Sequence, residues 1–392
     1  MNEEKATRYH RLKRRASVAS VTWNIALLTG LVAGSLSHEL RAAAQSLAGT
    51  IGSNEPSSMF VVAFYVVLLF LLNEIGSLPL AFYSGFLLER RYGLSNERLG
   101  GWVRDQLKLF AVGLLLAVSA ASVVYACIRQ RPADWWLPAG ASFAVLIAGL
   151  TNLAPVLLLP LFYRVKPLDR ESLRERLLSL ADRAGARVLG AYELGLGERT
   201  KKANAALAGL GSTRRILVSD TMLADYSDEE IEVVLAHELA HYVHGDIWKG
   251  ILFEAVLVLV GFYVSARVLG MSVGPLGLNS PSDAAGLPVL LLVAGALSLV
   301  MLPAAHAISR ASERSADRFA LELTRNPGAF VSAMRRLGAQ NLAEDDPSRL
   351  IQWLFYSHPP IRERISAAQA FDVTRRRVRL EPDRTGPPTL VE

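Results

Sequence analysis

The chain has 392 residues, of which 51% are hydrophobic and 20% charged, and carries a formal net charge of +6. That balance speaks against an ordinary soluble enzyme, and a single cysteine, Cys127, excludes an internal disulfide framework. The excess positive charge gathers in particular loops, so it points to membrane topology, and no nucleic-acid partner is expected.

The hydrophobic residues gather in runs at 18–36, 59–88, 108–128, 136–163, 250–270 and 286–307. Several reach the ~20 helical residues that cross a bilayer core. They are apolar all round and lack the polar stripe of a surface helix. The first follows the basic segment KATRYHRLKRR without a convincing small-residue cleavage site, and it reads as an uncleaved anchor. Lys5, Arg8, Arg11, Lys13, Arg14 and Arg15 precede it, and Arg90, Arg91, Arg98, Arg104 and Lys108 lie between the second and third runs. Arg41 is the only basic residue between the first two, and 271–285 has none. The positive-inside rule therefore places the N-terminus and the 89–107 loop in the cytoplasm. With six spans, residues 164–249 and 308–392 fall on the same side.

Past the fourth run the composition changes to the charged, helical DRESLRERLLSLADRAG. TKKANAALAG and RRILVSD then read as two strands around a Gly-Ser turn. Ser227 and Glu230 have capping-box spacing and open a helix expected to end near Gly245. That helix carries VVLAHELAHYVHGD, residues 233–246.

Residues four apart share a helix face, so His237 and His241 can offer two imidazoles to one metal, with Glu238 beside them to take a proton from water. The competing reading is two surface histidines on an amphipathic helix. A hydrolytic zinc site has three protein ligands and one open position. The position six residues after His241 is Ile247, and His244 has the wrong offset for a ligand. Glu313 in SRASERSAD is the better candidate for the third ligand. Asp317 lies one turn on and could accept the other ring N–H of a ligating histidine; a solvated pair of helix carboxylates is the bland alternative. His241 lies just before one span and Glu313 just after the next, so a hairpin of spans returns the second to the first.

Four segments in order, NAALAGLGSTRRILVSDTML, LAHELAHYVHGD, ERSADRFAL and YSHPPIRERI, resemble the integral-membrane zinc metalloproteases of the type I CAAX prenyl protease family. LPLAFYSGFLLERRYGLSNE adds a weaker match. The resemblance implies a zincin-like catalytic part with one Zn2+ held by His237, His241 and Glu313, and Glu238 as general base. It further implies that His358 and Arg364 bind substrate or steady the oxyanion, with Arg362 a close competitor of Arg364, and that Asn204 lies on a strand beside the cleft. The family's helices enclose a chamber, for which Asn73, Glu74 and Glu254 are lining candidates.

The expectation is thus a mainly α, polytopic membrane protein of six to seven spans, with a metalloprotease domain that contains a small β-sheet. Its parts are a four-span region at 1–163, a first protease part at 164–249, a transmembrane hairpin at 250–307, a second protease part at 308–371 and a flexible tail at 372–392. The expected partners are a peptide or protein substrate, with or without a lipid, and membrane lipids. The rival functions are a membrane quality-control metalloprotease of the heat-shock type and a zinc-binding inactive scaffold. The glutamate at 238 speaks against the scaffold.

Overall fold

The computed structural model describes the chain apart from residues 1, 53–57, 158, 210–213 and 381–392, and apart from the side chains of 2–3, 154–157 and 374–380. Its first part is helical: α1 (Asn2–Ala33), α2 (Leu36–Gly49), α3 (Met59–Ala81), α4 (Leu88–Arg91), α5 (Leu99–Gln130), α6 (Trp136–Leu157) and α7 (Leu159–Phe162). Apolar runs of this length become helices because a bilayer offers no water to the backbone, so each segment must satisfy its own N–H and C=O groups. Among the described residues, six helical stretches are long and apolar enough to cross a membrane: Glu4–Ala33, Met59–Arg91, Leu99–Gln130, Trp136–Leu153, Asp246–Ser272 and Ala284–Thr324.

Two features of this part depart from the sequence reading. The basic segment ahead of the first run is the start of α1 itself, so a charged extension of the span reaches the catalytic part. Helix α2 was not expected. Its buried residues are the small Ser37, Ala44 and Ala48, too weakly apolar to register as a run, and Ser37 Oγ lies 2.6 Å from the Tyr65 hydroxyl.

The second part comprises β1 (Arg164–Pro167), α8 (Glu171–Arg183), β2 (Gly190–Gly195), β3 (Ala205–Ala208), β4 (Arg215–Ser219), α9 (Asp220–Asp225), α10 (Asp228–Val243), α11 (Asp246–Ser272), α12 (Leu287–Thr324), α13 (Pro327–Gln340), α14 (Arg349–Phe355) and α15 (Ile361–Leu380). The sheet order is β1-β2-β4-β3, with β2 and β4 parallel and the two outer pairs antiparallel. The two segments read as strands supply β3 and β4. The other two strands, RVKP and GAYELG, carry few β-branched residues, so propensity did not mark them.

One core joins the sheet to α8, α10, α13 and the end of α12. Leu173, Leu177 and Leu180 of α8 follow helical spacing and pack with Ile216 and Val218 of β4, Ile231, Leu235 and Leu239 of α10, and Phe330 of α13. The start of α10 is fixed by the expected capping box: Glu230 N donates to Ser227 Oγ at 3.3 Å and Ser227 N donates to Glu230 Oε2 at 2.8 Å. Arg336 Nε of α13 donates to the other Glu230 oxygen at 3.0 Å. At the far end α10 stops at Val243, and Gly245, with φ of 66°, takes the left-handed conformation that lets the chain turn at once into α11.

Helix α12 runs unbroken from its span into the catalytic part, across the boundary at 307 that the sequence suggests. Likewise α15 continues to Leu380, past the expected start of the tail at 372, because RRRVRL is built of good helix formers. The remainder of that tail, 381–392, lies outside the described residues.

Between the spans lies a cavity of about 950 Å3 with mainly apolar walls, interrupted by Asn24, Asn73, Glu254, Ser265 and Ser298. Two of the three lining candidates therefore face it, and Glu74 is not among its described lining residues. Small residues let the surrounding helices approach. A Cβ on Gly76 of α3 would lie 2.2–2.7 Å from the indole ring of Trp23 on α1, a ring held by its Nε1 donating to the Asn73 carbonyl at 3.1 Å. Gly76→Ala should therefore destabilise the bundle by about 1–3 kcal/mol through overpacking, seen as a lowered thermal midpoint in detergent; an unchanged midpoint would contradict this packing.

Candidate active site

Helices α10 and α12 pack against each other and bring three side chains to one point. His237 Nε2 lies 3.2 Å from Glu313 Oε2, and His241 Nε2 lies 3.5 Å from Glu313 Oε1. One ligand atom from each of the three residues falls within 4.8 Å of the other two. The two rings stand nearly perpendicular, at 87°, as neighbours one helical turn apart can. His237 and Glu313 are buried, and His241 is partly so.

The second nitrogen of each ring is anchored by a carboxylate. His237 Nδ1 lies 2.9 Å from Asp317 Oδ1, and His241 Nδ1 lies 2.9 Å from Asp246 Oδ2. A carboxylate accepts and does not donate, so both Nδ1 atoms carry a proton, and in the neutral form that ligates a metal both Nε2 atoms present lone pairs to the common point. Each carboxylate is in turn held by a cation. Arg364 grips Asp317 with Nε at 2.9 Å and Nη2 at 2.5 Å, while Lys249 Nζ donates to Asp246 at 2.9 Å.

These residues fit a metal cation. Glu313 Oε2 is buried without a hydrogen-bond donor among the described residues, and the facing Nε2 lone pairs cannot supply one. A buried carboxylate oxygen facing two lone pairs is costly unless a cation sits between them. The site also favours positive charge at the rings. Burial opposes a charged His241, yet the carboxylates of Glu313 and Asp246 push it up to about 9, so a proton on Nε2 and a metal cation compete for the same place. Two imidazoles and one carboxylate, with no thiolate, make a donor set for a divalent metal with an open position.

Glu238 follows His237 on α10 and is partly buried, and burial raises its carboxyl above the usual range, with the two histidines opposing. Among the described residues its carboxylate makes no hydrogen bond or ion pair, although it feels the charges of His237, His241, Glu313 and Arg364. A carboxylate so placed can accept a proton from water at the cluster.

The remaining expected residues divide. His358, in the short segment between α14 and α15, places Nε2 at 3.3 Å from Glu313 Oε1 and is 61% exposed, so it stands at the rim of the cluster. Arg364 lies behind His237, its guanidinium committed to Asp317. Arg362 points elsewhere, donating to Asp346 at 3.0 Å. Asn204 is exposed just before β3, its N–H donating to Ser219 Oγ at 3.0 Å. It lies at the sheet edge, since β3 is an outer strand, and β3 packs on α10.

Sequence reasoning missed Asp246. It follows His241 by five residues across the Gly245 turn, a spacing no helical period would select; the only signal was its place in the HGD string.

A family model described as peptidase family M48 matches residues 167–372, slightly more than half of the chain. The chain belongs to peptidase family M48. A second model, described as the CAAX prenyl protease N-terminal region with five membrane helices, matches residues 2–164. The uncharacterized metalloprotease YhfN of Bacillus subtilis is 31% identical over 309 residues, 78% of this chain and 72% of that protein. CAAX prenyl protease 1 of Saccharomyces cerevisiae is 25% identical over 386 residues, 93% of this chain and 84% of its own. The crystal structure of S. mikatae Ste24p superposes with a TM-score of 0.81 at 23% identity, covering 94% of this chain and 88% of that one, which establishes the shared fold. This M48 protein is thus a multi-pass integral membrane metallopeptidase of the CAAX prenyl protease-like kind.

The second carboxylates make a direct prediction. Asp246→Asn and Asp317→Asn should each weaken metal retention by about 10- to 100-fold, the usual effect of removing such a support. Competition with a chromogenic chelator measures it, and unaltered retention in Asp246→Asn would remove that residue from the site.

Proposed function

We propose that this M48 protein is a zinc-dependent endopeptidase whose metal is held by His237, His241 and Glu313. The observation that carries the proposal is the orientation of the two imidazoles: each Nδ1 is tied to a carboxylate and each Nε2 is turned to Glu313, while the Glu238 carboxylate beside them is unpartnered among the described residues. Zinc suits this nitrogen and oxygen donor set, and when bound it supplies Lewis-acid chemistry that acidifies water and polarises the scissile carbonyl.

The protein's own groups do the rest. Glu238 takes the proton of the attacking water on a carboxylate oxygen and returns it to the leaving amine. Its raised affinity for protons, caused by burial, suits the return step. His358 at the rim donates from its ring to the oxygen that gains charge in the transition state, or to the substrate carbonyl before it. Arg364 serves on the other side of His237: its fork fixes Asp317, which fixes the ring. This role differs from the oxyanion role that resemblance implies, and it is supported by the bonds that Nε and Nη2 make to Asp317. Among the described residues no strand pairs with the outer edge of β3, next to Asn204, and that edge can take an extended substrate as an added strand.

We further propose that the substrate is a peptide with a C-terminal prenyl group, as the name of the yeast relative suggests. A mainly apolar cavity among the spans suits a lipid tail. The loop charges argue for a cytoplasmic site, on the same side as the N-terminus. In terms of organisation, 1–163 forms the membrane part, 164–249 and 308–371 share the chemistry, and 250–307 is the hairpin that joins them.

Cleavage of one peptide, prenylated and unprenylated, by the purified protein in detergent tests this reading. Glu238→Gln should keep its zinc while losing about 10²- to 10⁴-fold in kcat. Near-native turnover would overturn the base assignment. Equal cleavage of both peptides would overturn the lipid preference and favour a quality-control protease.

A further inference from the structure

We propose that Arg310 is a positioning residue that sets the distance between His358 and the metal ligands. The inference rests on the reading of His358 as a group that contacts substrate.

His358 poses a physical problem. It must hold its ring within 3.3 Å of Glu313, yet 61% of its side chain is exposed and its segment has no regular structure. Its one direct hydrogen-bonded side-chain neighbour among the described residues is Ser357, next to it in the chain, with Oγ 2.9 Å from Nδ1. A ring so weakly packed is placed only as well as its backbone is held. Pro359 and Pro360 are buried and limit the backbone after it. Before it, the segment is fixed by the end of α14.

Arg310 provides that fixing. It is buried, and its Nη1 donates to the carbonyl of Tyr356 at 2.6 Å and to that of Gln352 at 3.1 Å. The Gln352 carbonyl also accepts the Tyr356 N–H at 3.2 Å, so one guanidinium closes the last turn of α14, two residues before His358. Arg310 lies three residues before Glu313 on the same continuous helix. The third metal ligand and the clamp on the His358 segment therefore belong to one rigid element, and a shift of α12 would carry both. A second tie acts from the membrane part. Tyr356 Oη donates to Glu344 Oε2 at 2.6 Å, and Arg14 of α1 donates to both Glu344 at 2.6 Å and Tyr356 Oη at 3.1 Å. Arg14 steadies the side chain of Tyr356, whereas Arg310 holds its backbone, so the two contributions are separable.

The test is a double-mutant cycle on the full-length, metal-loaded protein. Arg310→Met should lower kcat by about 10- to 100-fold with KM nearly unchanged, the scale of a 1 Å misplacement of a reacting group. Metal content should stay the same. In a His358→Ala background, Arg310→Met should cost no more than about twofold further, because its effect passes through the lost ring. Amide hydrogen exchange at 353–358 should rise in Arg310→Met whether or not substrate is present. If Arg310→Met does not fold, Arg310→Lys, which keeps one donor for the Tyr356 carbonyl, carries the same cycle with a smaller loss.

Losses that multiply in the double mutant would overturn the inference, since Arg310 would then act independently of His358. So would unchanged exchange at 353–358. Unchanged kcat in His358→Ala alone would instead overturn the reading of His358, and with it the object Arg310 is proposed to position.

Discussion

The structure depends on bringing one carboxylate, Glu313, against two imidazole lone pairs in a place largely shielded from water. Left alone, such an arrangement is unfavourable, because a buried anion gains nothing from two acceptors. A cation shared among the three would make it favourable, and metal binding would then be coupled to the stability of the fold. The two rings cannot rotate to relieve the mismatch, since Asp317 and Asp246 hold their other nitrogens at 2.9 Å. Each of these carboxylates is itself neutralised, by Arg364 and Lys249. The centre is thus built in layers of alternating charge, and each layer fixes the direction of the one inside it.

Membrane spans supply the means of assembly. Helix α10 ends, turns at Gly245 and enters the span α11; α12 returns and continues without a break into the catalytic part. The hairpin is therefore both membrane anchor and the element that delivers Glu313 to His237 and His241. The first span serves in the same double way. Its charged extension places Tyr9 and Lys13 on Glu89, at 2.5 and 2.8 Å, and Lys202 near β3 reaches the same carboxylate at 2.8 Å. Span one, the end of the second span and the sheet are locked together there. The catalytic part is consequently not a separate domain tethered to a membrane anchor but one body with the spans.

Much of this was legible in the sequence because it rests on strong, periodic signals. Six apolar runs gave six spans, and the histidines at 237 and 241 shared a face by helical spacing alone. Glu313 and Asp317 could be paired with them because the hairpin limits where the chain returns. The capping box at Ser227 was legible for the same reason, being a local motif with a fixed period. What escaped lacked a period. Asp246 reaches His241 across a left-handed turn, and β1 and β2 have no strand-like composition. Arg364 had a recognisable place in YSHPPIRERI, but which group it would grip depended on packing between α12 and α15, which no spacing encodes. Arg310 is in the sequence one more charge after an apolar run, and its carbonyl partners depend on the packing of α12 against α14.

The most direct measurement is X-ray absorption at the zinc edge on the purified protein, compared with Glu313→Ala. The account predicts one zinc per chain with two imidazole nitrogens at about 2.0–2.1 Å and the remaining ligands oxygen, with one oxygen shell lost or replaced in the variant. A spectrum containing sulfur, or fewer than two imidazoles, or one unchanged by Glu313→Ala, would contradict it.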